Sequence, residues 1–206
     1  MKGAIIGDII GSAFVNDNLS STDFQLFKST SAFTDDTVLT MATADSIMNA
    51  KPYKESLIEW TKKFPDAGYR KDFFKWVQNN GKSDYLSIGD GAARRISPIG
   101  FAAESIEQAL TEAKKSTLIT HNVPVRLEAA QATAVAIFMA KNGATRKEIK
   151  AFVSVHFGYD MNLKVAHWKE KIRAGEPLST PVPPAISAFL EASDFEEAIR
   201  LAIFIG

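Results

Sequence analysis

The 206-residue sequence contains no cysteine. Its absence excludes a disulfide framework, a thiolate zinc site and a cysteine nucleophile. The sequence also has no excess of charge of either sign, because 24 lysine and arginine residues balance 24 aspartate and glutamate residues. A formal net charge of zero argues against a broad electrostatic surface for nucleic acid or an anionic membrane, while a local basic patch stays compatible with it.

Long hydrophobic runs are missing as well. No apolar segment of the sequence has the length needed to span a bilayer. The N-terminal MKGAIIGDIIGS begins like a signal peptide, with one lysine before an apolar run. Asp8 interrupts that run after five residues, which is too short for a secretory core. We therefore expect a soluble, cytoplasmic protein that binds neither membrane nor nucleic acid.

Alternating apolar and polar residues, the pattern of strands, are nearly absent, and helical periodicity dominates. The predicted helices cover residues 36–50, 53–64, 105–120, 126–143 and 145–157, and two further helical segments close the chain. The length suits one large domain. The sequence therefore predicts an all-α fold, a compact single-domain helical bundle over residues 1–206.

Two helix starts have the spacing of a capping box. Thr145 is followed three residues later by Glu148, and Ser193 is followed by Glu196. Between the predicted helices, the longer irregular stretches are residues 14–33, 79–101 and 170–183. Loops of this length in a helical domain often carry function.

Three glycines recur every fourth residue in GAIIGDIIGSA, at Gly3, Gly7 and Gly11. On a helix they share one face, which favours close packing against another backbone, with Asp8 beside the contact. A dinucleotide-binding fingerprint is excluded, because the G-x-G-x-x-G spacing is absent and no βαβ pattern follows.

The stretch FTDDTVLTMATA places two carboxylates, Asp35 and Asp36, at the mouth of an apolar run. One interpretation is an ordinary helix start, in which Thr34 or an aspartate caps the helix and acids complement its dipole. The other is a metal site, because two carboxylates and a hydroxyl are hard oxygen donors for Mg²⁺ or Mn²⁺. From these residues alone, capping is the commoner explanation, and both stay open.

A third polar cluster combines SIGDGAARRISPIG, residues 87–100, with THNVP, residues 120–124. Gly89 and Gly91 would free backbone N–H groups for a phosphate, and the arginine pair that follows could add positive charge. His121 would supply a donor. The alternative is structural: a glycine turn leads into one helix and His121 caps another.

Taken in order, these segments resemble the ADP-ribosylglycohydrolase family along essentially the whole chain. The segments that carry the resemblance are GAIIGDIIGS, FTDDTVLTMA, IGDGAARRISPIG, THNVPVRLEAAQATAVAIFMAKNGATRKEI and VPPAISAFLEASDFEEAIRLAIFIG. They are similar to the family's opening G-D-x-[LI]-G helix, its T-D-D-T motif, its glycine loop, its T-H-x-x-P segment and its penultimate helices. Five ordered matches are far more specific than any one of them.

The resemblance implies hydrolysis of the glycosidic bond that joins ADP-ribose to a modified protein side chain or small molecule. It implies a binuclear Mg²⁺ or Mn²⁺ site to which Thr34, Asp35 and Asp36 contribute, with a carboxylate of Asp35 or Asp36 as the catalytic group that takes a proton from water. The substrate-binding residues it implies are Asp8, Gly89, Asp90, Gly91, Ala92, Ser97, His121 and Asn122. The partner is ADP-ribose or an ADP-ribosylated protein, and the oligomeric state stays open.

The sequence departs from the family pattern at several positions. The family's G-D-S-D-T motif would follow Gly206, so the resemblance leads us to expect a C-terminally incomplete domain without the second metal half-site. Val15 replaces a glutamate found in many relatives, with Asp17 the nearest acid. Asp90 replaces an asparagine, and Arg94, which replaces a methionine, could offset its charge. The alternative function is therefore an inactive relative that binds ADP-ribose-like ligands or serves as a structural or interaction protein.

Overall fold

A computed structural model describes residues 2–206, and within that range every regular element is a helix, which confirms the predicted all-α fold. The helices are α1 (Lys2–Gly11), α2 (Asp35–Met48), α3 (Tyr53–Lys63), α4 (Lys71–Gln78), α5 (Gly91–Arg94), α6 (Ser97–Ala102), α7 (Ile106–Leu118), α8 (Pro124–Lys141), α9 (Arg146–Phe157), α10 (Val165–Arg173), α11 (Val182–Glu191) and α12 (Phe195–Ile205), with one 3₁₀ turn at Ser12–Phe14. No helix in this range is long and apolar enough to cross a membrane.

The five helices predicted with explicit bounds are confirmed, each to within two residues at either end. The prediction missed α4 and α10, which are short, and it treated the region of α5 and α6 as irregular. Strong local signals mark the ends of the helices that it found. The Thr145 side chain, for example, accepts a hydrogen bond from the Glu148 N–H, and the Glu148 carboxylate accepts one from the Thr145 N–H.

The second predicted capping box, Ser193 with Glu196, is wrong, because both the N-cap and the glutamate lie one residue later. Asp194, not Ser193, caps α12 by accepting a hydrogen bond from the Glu197 N–H at 2.8 Å. The Glu197 carboxylate, not that of Glu196, accepts the hydrogen bond from the Ser193 N–H at 2.6 Å. Aspartate caps a helix at least as well as serine, and it sets the first turn one residue later.

Helix α8 lies at the centre of the fold, where it packs against α5, α6, α7, α9 and α11. Its interior face is made of small residues, including Ala130 and Ala134, which lets the neighbouring helices approach closely. One such close approach is at Gly100 in α6, where an added Cβ would lie 2.5 Å from the Ala134 carbonyl oxygen. Glycine is therefore required at position 100 by contact with backbone.

The expected close packing along the glycines of α1 is wrong. An added Cβ at Gly7 or Gly11 would meet nothing within 4 Å, and at Gly3 it would meet only the Phe195 ring, at 3.1 Å. Helix α1 is held by the buried side chain of Ile10 and by the hydrogen bonds of Asp8. Asp8 faces the start of α2 and holds the two helices together.

Candidate functional site

The Asp8 carboxylate organises the junction of α1 and α2. It accepts hydrogen bonds from the Thr34 N–H at 2.8 Å and hydroxyl at 2.6 Å, and from the Thr37 N–H at 3.2 Å and hydroxyl at 2.5 Å. Thr34 is also the N-cap of α2, because its hydroxyl oxygen accepts from the Asp36 N–H at 3.2 Å. The capping interpretation of Thr34 is thus confirmed, and the cap fixes where Asp35 and Asp36 emerge.

Both carboxylates line a cleft of about 220 Å³ between the start of α2 and the glycine loop. The residues that line it together with them include Arg70, Tyr85, Ser87, Gly89, Gly91, Arg94, Arg95, Thr120 and His121. The fold therefore brings together the second and third polar clusters of the sequence; Asp36 and Gly89, for example, are 53 residues apart along the chain.

Burial and mutual repulsion make the carboxylates of the cleft reluctant to ionise. The pKa of Asp35 is raised to about 6, first by burial and then by the neighbouring charges of Asp36 and Asp8. Burial also raises the pKa of Asp36, although the guanidinium of Arg94 acts in the opposite direction. Two carboxylates crowded in this way are stabilised by a nearby cation.

Arg94 is the cation that the chain itself provides. Its Nη1 donates to the Asp36 Oδ2 at 2.7 Å. Arg94 interacts with the charge of Asp90 at longer range, and the direct ion pair with Asp90 is made by Arg126, whose Nη1 lies 2.5 Å from the Asp90 Oδ1. Thr180 adds a second donor to Asp90, at 3.1 Å.

A buried chain of hydrogen bonds fixes His121. The Arg95 Nη2 donates to the Thr120 hydroxyl oxygen at 2.8 Å, and that oxygen lies 2.7 Å from the His121 Nδ1. Within residues 2–206 the Thr120 hydroxyl has no other acceptor, so its hydrogen is best used on Nδ1. The imidazole then carries its hydrogen on Nε2, which is buried and without a protein partner in the same range.

The pKa values of His121 and Arg95, the two titratable residues of this hydrogen-bonded series, both differ from their ordinary values. Burial and the positive charge of Arg95 lower the pKa of His121 to about 3, so the ring is neutral. Burial lowers the pKa of Arg95 itself to about 10. The prediction that His121 caps a helix is wrong: the N-cap of α8 is Val123, and the His121 ring is held by Thr120 instead.

The remaining residues suggested by the resemblance lie outside the cleft wall. Ala92 is 1% exposed and packs in the core beside α8. Ser97 is buried in the first turn of α6, and its hydroxyl has no partner in the described part of the chain. Asn122 is exposed and precedes α8. The Asp90 carboxylate accepts hydrogen bonds from Arg126 and Thr180. The Asp8 carboxylate accepts hydrogen bonds from Thr34 and Thr37 at the junction of α1 and α2.

Sequence reasoning assigned no function to Thr120, Arg126 or Thr180, and it offered Arg95 only as added positive charge beside Arg94 at the glycine loop. Arg126 lies 36 residues beyond Asp90, and Thr180 lies 90 residues beyond it, so only the fold shows that they meet. The pair Arg94–Arg95 was a visible signal in the sequence, but two adjacent arginines give no sign of which one is buried. Arg95 is 1% exposed, whereas the Arg94 side chain is 55% exposed.

The oxygen donors at the start of α2 suit a hard divalent cation. Asp35 and the Oδ1 of Asp36 accept no hydrogen bond from another residue in the range 2–206, and Thr34, whose hydroxyl donates to Asp8, directly precedes them in sequence. These groups would fill part of an octahedral shell, and water or substrate would complete it. Residues 2–206 contain no cluster of three or more histidine, aspartate or glutamate side chains placed to hold a metal.

Comparison with known proteins agrees with the resemblance read from the sequence. A sequence model described as ADP-ribosylglycohydrolase matches residues 1–206. The ADP-ribosylarginine hydrolase Tri1 of Pseudomonas putida (strain GB-1) is 23% identical over 236 aligned positions, which cover 98% of this chain. The mouse (Mus musculus) ADP-ribosylhydrolase ARH3 is 25% identical over 186 positions, which cover 72% of it.

A solved structure described as an ADP-ribosylglycohydrolase-related protein complex shares the fold. It superposes with a TM-score of 0.72 at 21% identity and covers 100% of this chain and 78% of its own. The two curated relatives are longer: the aligned regions span 63% of Tri1 and 50% of ARH3.

Proposed function

Because the chain belongs to the ADP-ribosylglycohydrolase family, we propose that it hydrolyses the glycosidic bond between ADP-ribose and a modified protein side chain or small molecule. One observation carries the proposal: the Asp35 and Asp36 carboxylates share a cleft with the Gly89–Gly91 loop and His121. Carboxylates are the groups that glycoside hydrolysis needs, and a loop with a nearby donor suits the phosphates of the ligand.

In this mechanism, water attacks the anomeric carbon of the ribose through an oxocarbenium-like transition state. The bond from that carbon to the nitrogen or oxygen of the modified group breaks as the bond to the water oxygen forms, and the leaving atom keeps the electron pair and takes up a proton from solvent. The Asp35 carboxylate accepts the proton from the water. Asp36 lies beside it and is held in position by Arg94 at 2.7 Å. The ring of His121 is neutral and interacts with the Gly89 backbone of the loop. Its Nε2–H makes no hydrogen bond of normal geometry within residues 2–206, and we assign it a ligand oxygen as acceptor.

Thr34, Asp35 and Asp36 would hold a Mg²⁺ or Mn²⁺ ion, which would supply charge stabilisation and orient the ribose hydroxyls. The Asp8 carboxylate positions these three residues, because it accepts hydrogen bonds from the Thr34 backbone N–H and hydroxyl. We assign Asp8 a positioning function in substrate binding, since its oxygens are already occupied by four donors.

The first substrate to test is one in which ADP-ribose is linked to arginine, because one relative is named as an ADP-ribosylarginine hydrolase. The experiment incubates the purified chain with ADP-ribosylarginine and with a mono-ADP-ribosylated protein, and measures released ADP-ribose by chromatography. Release should require added Mg²⁺ or Mn²⁺ and stop with chelator. Asp35→Asn should lower the rate at least about 100-fold, since general-base contributions are of that size.

The matched control for Asp35→Asn is Asp72→Asn. Asp72 pairs with Arg70, which lines the cleft, but does not line the cleft itself. The rate of ADP-ribose release by Asp72→Asn should stay within about twofold of the wild-type rate. No release from the folded wild-type chain at any metal concentration would contradict the proposed hydrolysis.

A second candidate is a non-catalytic binder of ADP-ribose-like ligands. The ion pair between Arg94 and Asp36 favours it, because the guanidinium occupies an oxygen that a metal would need. Calorimetry with ADP-ribose separates the candidates. Micromolar binding without turnover supports the binder, and binding with metal-dependent turnover supports the enzyme. The absence of both leaves a structural or interaction function.

A further inference from the structure

Arg126, in the first turn of α8, binds oxygen atoms of two other segments of the chain. Its Nε donates to the Ile88 carbonyl at 2.7 Å. Its Nη1 donates to the Asp90 Oδ1 at 2.5 Å and to the Ser179 carbonyl at 2.7 Å. The Arg126 side chain is only 17% exposed, and it does not line the candidate cleft. The proposed hydrolysis gives this arginine no function.

Arg126 holds the peptide between Ile88 and Gly89 from the side away from the cleft. This peptide is trans, so its carbonyl and its N–H point in opposite directions. The carbonyl accepts from Arg126, and the Gly89 N–H donates to the Ser87 hydroxyl oxygen at 3.2 Å. Ser87 and Gly89 line the cleft, whereas Ile88 does not. The guanidinium therefore fixes the side of the glycine loop on which the Gly89 N–H lies.

The same guanidinium pairs with Asp90, the acidic residue of this loop. A carboxylate without a counter-charge beside the cleft would repel the phosphates of a ligand. Arg126 supplies that counter-charge, and Thr180, which is 2% exposed, donates to the same Oδ1 at 3.1 Å. Both partners lie outside the cleft lining, and so does Asp90. The negative charge of the loop is thus held away from the cleft.

Arg126 also connects the glycine loop with the irregular segment between α10 and α11, residues 174–181. Ser179 and Thr180 lie near the end of that segment, the first bonded to Arg126 and the second to Asp90. The Nε and Nη1 of a guanidinium donate from different positions of a rigid plane, so one side chain reaches acceptors of both segments. The ammonium of a lysine carries all its donors on one nitrogen and lacks this reach.

We propose that Arg126 is a positioning residue for the phosphates of ADP-ribose. By holding the Ile88 carbonyl, it keeps the Gly89 N–H on the cleft side of the loop, where a phosphate oxygen replaces the Ser87 hydroxyl as acceptor. Arg126 itself does not touch the ligand. This function rests on the proposed hydrolysis, because ADP-ribose is taken as the ligand of the cleft.

The first measurement needs no ligand and reports on the loop alone. In the free chain labelled with ¹⁵N-glycine, the NMR order parameter of the Gly89 amide should be about 0.85 in wild type and below about 0.6 in Arg126→Met. The amide of Gly68, which lines the same cleft from another loop, should not change. An unchanged order parameter of Gly89 in the folded variant would overturn this function of Arg126, whatever the cleft binds.

Arg200→Met is the matched control. The Arg200 guanidinium also holds two backbone carbonyls of a loop, those of Thr22 and Phe24, and pairs with the carboxylate of Glu196. Calorimetry should show ADP-ribose binding about tenfold weaker in Arg126→Met and changed less than about twofold in Arg200→Met. For ADP-ribosylarginine, Arg126→Met should raise KM by a similar factor and leave kcat within about threefold. Equal effects of the two variants would assign Arg126 a structural function only.

A double variant separates the position of the loop from the charge of Asp90. Asp90→Asn combined with Arg126→Met removes both charges and still leaves the Ile88 carbonyl without its donor. Binding of ADP-ribose should therefore stay at least about fivefold weaker than in wild type. Recovery to within about twofold would show that the charge of Asp90 explains the loss, and would overturn the positioning of the loop.

Should Arg126→Met fail to fold, Arg126→Lys keeps the charge and removes the planar fork. The order parameter of Gly89 should fall in this variant too, and an unchanged value would equally refute the positioning function. A wild-type chain that neither binds nor releases ADP-ribose would refute the proposed hydrolysis. The order parameter of Gly89 would even then decide whether Arg126 holds the loop, so the two failures are distinguishable.

Discussion

Asp8 and Asp35 are carboxylates at the same helix junction, yet their surroundings are opposite. Asp8 accepts four hydrogen bonds from Thr34 and Thr37, whereas Asp35 accepts none from another residue in the range 2–206. A carboxylate saturated with donors belongs to the fold, because each donor left without it would be unsatisfied. A carboxylate crowded by like charge and left without donors has the surroundings that are common among ligand-binding and catalytic groups, which is why we propose such a function for Asp35.

Asp36 lies between these two extremes, with one partner, Arg94. Its Oδ2 is satisfied and its Oδ1 is free of protein donors within the described residues. The three aspartates therefore form a series in which the number of protein donors falls from four to one to none. We therefore expect the Asp8 carboxylate to stabilise the fold most, and the ionised Asp35 carboxylate to destabilise it.

The largest expected change in stability follows replacement of Asp8, the carboxylate that accepts four hydrogen bonds. Asp8→Ala removes the acceptor of four donors and should lower the free energy of unfolding by about 3 kcal/mol, measured by urea denaturation. Asp8→Asn keeps one carbonyl oxygen as an acceptor and should cost about half as much.

Asp23→Ala is the control for these variants. Asp23 lies on an exposed part of the segment between α1 and α2, and its replacement should change stability by less than about 0.5 kcal/mol. A loss of less than 1 kcal/mol in Asp8→Ala would show that the threonines find other partners, and the contrast between Asp8 and Asp35 would then not hold.

A smaller effect is expected where the chain supplies its own cation. Arg94→Met removes the guanidinium from Asp36 and should raise the affinity for Mn²⁺ about tenfold, because the metal no longer competes for the Oδ2. Manganese is the probe, and its free concentration is followed by electron paramagnetic resonance.

Arg70→Met distinguishes direct competition from a general change of charge. Arg70 lines the same cleft but pairs with Asp72, so its removal leaves Asp36 untouched. An equal gain in affinity in both variants would assign the effect to net charge. No gain in either would show that Arg94 does not compete with the metal.

Much of this arrangement was predictable from local sequence. Helix ends with strong caps, such as Thr34 and Thr145, were predicted because their signals lie within four residues. The pairing of TDDT with the glycine loop came from the family resemblance, and its geometry came only from the fold. Local reasoning failed at Gly7 and Gly11, since a glycine repeat does not reveal whether a partner helix faces it.

Partners distant in sequence could not be predicted for a physical reason. The charge of Asp90 has many possible counter-ions in the sequence, and packing alone decides that Arg126 and not Arg94 reaches it. The burial of Arg95 depends likewise on how α5 and α7 pack, because its Nη2 donates to the Ser116 carbonyl at 3.1 Å. Such contacts belong to tertiary structure, not to a local pattern.

The smallest effect, and the one with the opposite sign, is expected at the carboxylate without donors. The folded-state pKa of Asp35 is about 6, above the ordinary value of 3.8, so the folded protein binds this proton more tightly than the unfolded chain does. Its ionisation therefore destabilises the fold above pH 6, and the penalty disappears below pH 4. In metal-free buffer, Asp35→Asn should be more stable than wild type at pH 7.5 by about 1 kcal/mol after solvent screening, or roughly 2–4 °C in Tm.

Asp45→Asn is the control of opposite sign on the same helix. Hydrogen bonds, first of all that from Lys51, lower the pKa of Asp45 below 3.8, so its ionised form stabilises the fold above pH 4 and this contribution is lost as the pH falls. The Asp45 variant should be less stable than wild type at pH 7.5, with the difference shrinking towards pH 3. Thermal melting across pH 3–8 measures both variants. A stability gain in Asp35→Asn that persisted unchanged at pH 4 would arise from packing, and the repulsion between the cleft carboxylates would not be its cause.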